Sequence, residues 1–259
     1  MLGFFKNTAL LDEDTTDWLF DVYAWALRHF DSEVFYQETL LVTPTNQHFP
    51  GEGGGSDKAR FIFEKVKVYA GLGHWPCELV TDESFVSPSV PILADTVGLR
   101  GSTGITPVIG EDSPSFPVPY DPALIARPEA LIASYAHTLS HYLGSTCQEP
   151  PPGGKENWPQ VTEVLAVFMG FGLMFANSAY VSSIRSCGSC QTPTANRPVF
   201  LSQYELVYSL AIFSVLKGIP NKEVTPYLKK TLHTFYKKAV KNVTARKQVL
   251  GGLRPARAQ

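Results

Sequence analysis

Along residues 14 to 31 the apolar side chains return every three or four positions, with Trp18, Val22, Trp25, Ala26 and Phe30 on one side together with His29. That period predicts an amphipathic helix, and Asp12, Asp14 and Asp17 gather around its positive end. Leu40-Leu-Val-Thr43 then reads as a short strand. Ser56-Asp57 can cap a helix over roughly 58 to 71, although Phe61-Ile-Phe63 would also suit a strand. Between Cys77 and Val118 the pattern shortens. Glu78-Leu-Val80, Val90-Pro-Ile-Leu93 and Thr106-Pro-Val-Ile109 are β-like runs broken by Gly, Pro, Ser and Asp, which predicts a small sheet of about three or four strands.

After Tyr120-Asp-Pro122 the period becomes helical again. Pro128 suits a first helical position, Leu131, Ile132, Tyr135, Ala136, Leu139 and Leu143 make a broad apolar stripe, and Gly144 is expected to end the helix. The connector Gln148-Glu-Pro-Pro-Pro-Gly-Gly154 leads to a second helix over 158 to 180, and further helices are predicted near 202 to 217 and 222 to 243. The reading is an α+β chain forming one domain over 1–259. Helices and strands mix over residues 1–120, helices alone follow over 121–245, and a tail covers 246–259, whose last residues, from Gly251, are expected to fray.

Composition narrows the function classes. With 259 residues, 44% hydrophobic, the chain can bury a sizeable core. A formal net charge of -2 gives no electrostatic case for nucleic acid or an anionic membrane. The most apolar run, Val164 to Ala176, spans 13 residues, short of the roughly 20 that cross a bilayer. Cys77, Cys147, Cys187 and Cys190 are too few to frame a secreted scaffold, so a cytoplasmic, reducing setting is expected. The glycine-rich loop Pro50-Gly-Glu-Gly-Gly-Gly55 lacks the Gly-Lys-Ser/Thr of a phosphate-cradling loop and reads as a connector.

The candidate chemistry lies in Tyr135-Ala-His-Thr-Leu-Ser-His-Tyr-Leu-Gly144, where His137 and His141 sit one helical turn apart. Imidazoles so spaced point to one side and can bite one divalent ion, and Glu163, 22 residues after His141 at the start of the next helix, could close a three-ligand site with an open position. The same pair can equally be core histidines hydrogen-bonded to backbone or to a neighbouring acid.

His-Thr-Leu-Ser-His keeps the spacing of the zincin metalloprotease motif His-Glu-x-x-His, with Thr138 where the general-base glutamate would stand. The order of small sheet, buried histidine helix, Pro-rich connector and helix beginning with an acid resembles the gluzincin branch. Leu131 to Leu143 followed by Val161 to Gly172 also looks like uncharacterised bacterial zincin-like proteins. The resemblance implies a zincin-like fold with a mostly antiparallel sheet, zinc held by His137, His141 and Glu163, and Gln160 one turn earlier as a supporting group. Because a threonine hydroxyl cannot serve as the base, it also implies weak or absent peptidase activity and a binding role toward a peptide or protein. Two alternatives stay open: an active zinc hydrolase in which Glu149, Glu156 or another loop acid substitutes for the base, and a metal-free interaction protein.

Other features have plainer readings. Cys187-Gly-Ser-Cys190 reads as a loop with free thiols or a local disulfide, since structural zinc usually needs a second pair. His74-Trp-Pro-Cys77 reads as a packed turn, and His29, His48 and His233 as ordinary histidines. The basic run from Lys229 to Lys247 fits an amphipathic helix with a lysine-rich outer face.

Overall fold

A computed structural model of the chain describes residues 10–50, 54–81, 98–105, 115–183 and 199–254. Helix α1 (Glu13–His29) starts where Asp12 accepts a hydrogen bond from the Thr15 amide at 2.8 Å, and that bond holds the Asp12 carboxyl below its usual range. A short α2 (Ser32–Gln37) follows, then an extended segment through Leu40–Thr43 that pairs with no strand among the described residues, contrary to the predicted one. Helix α3 (Gly55–Tyr69) begins at Gly54 without a side-chain cap, so Ser56 and Asp57 lie inside it rather than before it.

The sheet corrects the expectation of an antiparallel arrangement. Among the described residues it has two strands, β1 (Cys77–Val80) and β2 (Phe116–Pro119), paired in parallel with Cys77 opposite Phe116. Parallel strands need a crossover of a dozen or more residues, and the chain between 80 and 116 supplies one. The runs 90–93 and 106–109 lie outside the described residues. Strand β2 was hidden from sequence reasoning by its prolines, yet Pro117 and Pro119 fall at alternate positions. The Phe116 and Tyr120 amides donate to Pro76 and Val80 at 2.7 and 3.0 Å, leaving the prolines on the edge that needs no donor.

Helices α4 (Pro128–Ser145), α5 (Trp158–Ala166) and α6 (Gly172–Ser183) form the centre. Helix α4 packs between α3 and α5, and the Tyr142 hydroxyl donates to the Pro117 carbonyl, fastening β2 to it. Gly144 does not end α4. It lies inside the helix at a close approach, where an added Cβ would be 2.9 Å from the Trp158 ring and 3.1 Å from Leu165. Helices α5 and α6 run on through a wide turn at Val167–Phe171, whose Gly170 has φ 99. The Gly170 carbonyl accepts from the Val42 amide at 3.0 Å, so the extended segment crosses the core helix at this kink. The continuous stretch Lys155–Ala179 is long and apolar enough to span a bilayer, but 94% of its most apolar window is buried inside the fold, the environment of a core helix.

Helix α7 (Gln203–Lys217) has a full capping box, Ser202 with Glu205, and stops at Gly218 with φ 68. It packs between α6 and α9 (His233–Ala245). The single helix predicted over 222 to 243 is interrupted: α8 (Asn221–Val224) ends before Pro226, and short turns at 225–227 and 230–232 precede α9. Helix α10 (Lys247–Leu253) takes in the first residues of the predicted tail, Gly251 to Leu253, and docks through buried Leu250 and a hydrogen bond from the Tyr36 hydroxyl to the Leu253 carbonyl, while 255–259 lie outside the described residues. Lys237, Lys238 and Lys241 line the exposed face of α9, as the amphipathic reading expected. Arg246 reaches back to α1, to Glu13 at 2.7 Å and Asp17 at 3.1 Å.

One buried charge holds the N-terminal helices together. Arg100 is almost fully enclosed, and its Nε donates to the Ala70 carbonyl at 3.0 Å, Nη1 to the Phe30 carbonyl at 3.4 Å and Nη2 to Thr39 Oγ1 at 3.2 Å. Phe30 and Ala70 are the C-caps of α1 and α3, so the guanidinium sits at the negative ends of two helix dipoles. It also lies 5.3 Å from the centre of the Phe168 ring. Burial lowers its pKa to about 10, and the nearby charges of Asp31 and Glu38 work against that shift. The group is charged at neutral pH.

Candidate functional site

His137 and His141 lie on α4 one turn apart, and both are half-buried. At about 100° per residue they share a stripe of roughly 60° with Gly144, and Gly144 closely approaches α5 at Trp158 and Leu165. Burial lowers the His141 pKa, which favours the neutral imidazole that a metal requires. Thr138, between the two, donates its hydroxyl back to the Ser134 carbonyl at 3.3 Å.

Glu163 is fully buried on α5, and its Oε2 accepts from the backbone amides of Phe200 at 3.2 Å and Leu201 at 2.7 Å. The helix period explains this direction. Leu165 faces α4 at Gly144, and a step of two residues turns the helix by about 200°, so Glu163 looks toward the start of α7. Among the described residues, no three of His, Cys, Asp and Glu converge as a group able to hold a metal ion, and His137, His141 and Glu163 are all described. As a three-ligand zinc centre these residues do not fit in the arrangement shown. Gln160, about 60° from Glu163 around α5, keeps its Oε1 buried without a hydrogen-bond partner among the described residues.

Glu149 bridges to Arg28 at 3.3 Å and His29 at 3.1 Å on α1, and Glu156 stands exposed on the single turn Lys155–Asn157. His74-Trp-Pro-Cys77 is the packed turn expected, with the Trp75 indole donating to the Leu99 carbonyl at 2.9 Å. The Cys77 thiol is pushed up to about 12 by burial and that of Cys147 is raised for the same reason, so neither is a nucleophile at neutral pH. Both are unbridged; Cys187 and Cys190 lie outside the described residues. His48 accepts from the Thr43 amide at 3.3 Å, and His233 lies 2.8 Å from the Leu228 carbonyl, both ordinary structural roles. What sequence reasoning missed is the pair of amides at 200 and 201. Backbone donors carry no residue-type signature, and the Ser202 and Glu205 capping box beside them marks only the start of α7.

Two histidines make stability pH-dependent. Burial lowers the pKa values of both His141 and His48 from the ordinary 6.5, so each binds fewer protons folded than unfolded. Their contribution is therefore complete above the unfolded value and is lost as pH falls through it toward the folded one. Thermal melts are expected to be flat above about pH 7 and to fall as pH drops below the ordinary histidine value. His141→Gln and His48→Gln should each flatten that drop, and an unchanged pH profile in both variants would refute the assignment.

The chain matches no family model, no curated protein and no solved structure.

Proposed function

We propose that this chain is a metallopeptidase-like protein of zincin type that lacks hydrolytic turnover and acts by binding a peptide or protein in a reducing, cytoplasmic setting. The observation that carries the reading is Thr138: the position between the paired imidazoles holds a hydroxyl bonded to its own helix at Ser134. General-base catalysis supplies about a hundred- to ten-thousand-fold in rate, and a threonine hydroxyl does not supply it. Glu149, which could have done so from the connector, is engaged by Arg28 and His29 instead. Zinc, in this reading, is held by His137 and His141 alone, weakly because two ligands replace the usual three. A metal-free binding protein is the second reading, favoured by the lack of any converging set of three such ligands among the described residues.

The test is a casein and peptide-library digest with the purified full chain, alongside zinc titration. No chelator-sensitive cleavage is expected, nor any from Thr138→Glu alone, since Glu163 is turned to the start of α7. Zinc uptake should be weak and vanish in His137→Ala/His141→Ala. Cleavage by the wild type that a chelator stops would overturn the inactive reading, and zinc uptake unaltered by the double substitution would overturn the assigned ligands.

A further inference from the structure

We infer that Glu163 is the anchor that fixes the chain at the head of α7, and that this role, rather than metal coordination, occupies its carboxylate. The inference is independent of whether the protein hydrolyses anything. A carboxylate with no exposed surface is costly to bury unless it accepts strong hydrogen bonds, and Glu163 Oε2 takes them from two consecutive amides, Phe200 and Leu201. Two of the donors that follow, those of Ser202 and Glu205, are served from within the first turn of α7. The Ser202 amide donates to Glu205 Oε2 at 2.6 Å and the Glu205 amide to Ser202 Oγ at 3.2 Å.

Four backbone N–H groups at the head of one core helix are thus each met by a side-chain oxygen, two of them from α5. The Phe200 and Leu201 amides lie just before the N-cap Ser202, so the buried anion accepts two backbone hydrogen bonds and also sits near the partial positive charge of the helix start. The Leu201 side chain is buried beside this junction, while Phe200 and Tyr204 remain partly exposed. The anchor therefore fixes the backbone at 200–201, at the head of α7. For Glu163 Oε2 to turn to an ion on His137 and His141, both amides would have to lose their acceptor.

Amide hydrogen exchange of the 199–202 segment, measured on the full chain with and without added zinc ion, tests this. Strong protection is expected at Phe200 and Leu201, unchanged by saturating zinc whether or not the imidazoles take up the ion. Glu163→Leu should raise exchange there at least tenfold, and Glu163→Gln, which keeps one acceptor oxygen and is the milder change if the leucine variant folds poorly, by a smaller factor. Loss of protection on adding zinc to the wild type would overturn the inference, as would exchange at 200 and 201 that Glu163→Gln leaves untouched. Either result can occur in a protein without peptidase activity, so it is distinguishable from failure of the functional proposal.

Discussion

Gly170→Ala is expected to destabilise the fold by about 4 kcal/mol, from two effects that act together. A non-glycine residue at φ 99 is strained by roughly 1 to 3 kcal/mol. The added Cβ would also lie 2.0 Å from the Leu40 carbonyl oxygen, which is backbone and cannot rotate away. Relieving that overlap moves the extended segment off the core helix and breaks the bond from the Val42 amide to the Gly170 carbonyl, a buried loss on the order of 1 to 3 kcal/mol. Urea unfolding of Gly170→Ala against Gly251→Ala gives the comparison. Gly251 lies in α10 with nothing near its Cβ position, so alanine there should be neutral or slightly stabilising. A cost below about 1 kcal/mol at position 170 would show that the wide turn relaxes freely and that the crossing at Leu40 is not tight.

Arg100→Ala is expected to cost roughly 3 to 5 kcal/mol, the scale found when one member of a buried charged network is removed. The substitution leaves the Phe30 and Ala70 carbonyls without their donor at two helix ends and opens a cavity beside the Phe168 ring. Arg100→Lys should recover only a fraction of the loss, because an ammonium cannot present the planar fork that reaches both C-caps and Thr39 together. Chemical denaturation of the two variants measures the ordering. Equal stability of the alanine and lysine variants would mean that positive charge without the fork does nothing to join α1 and α3.

Most of the helical frame was legible because it is a local property. The three- to four-residue period in α1 and the apolar stripe of α4 each act within a few turns of chain. The interruption at Pro226 shows the limit of the same reasoning, since an apolar period continued across a residue that the helix could not. The paired imidazoles of His137 and His141 were legible too, as a spacing on one helix. Their partner was not.

Amino-acid order by itself determined that His137, Thr138 and His141 share a helix, that a hydroxyl stands where a base would be needed, and that an acid follows on the next helix. Tertiary structure alone decided which way that acid turned. With Leu165 packed on Gly144, the helix rotation carries Glu163 to the amides of Phe200 and Leu201, a neighbour distant in sequence that no local pattern encodes. The parallel pairing of β1 with β2 and the seat of Arg100 between two helix ends were settled in the same way, by backbone groups finding donors and acceptors only once the layers had packed.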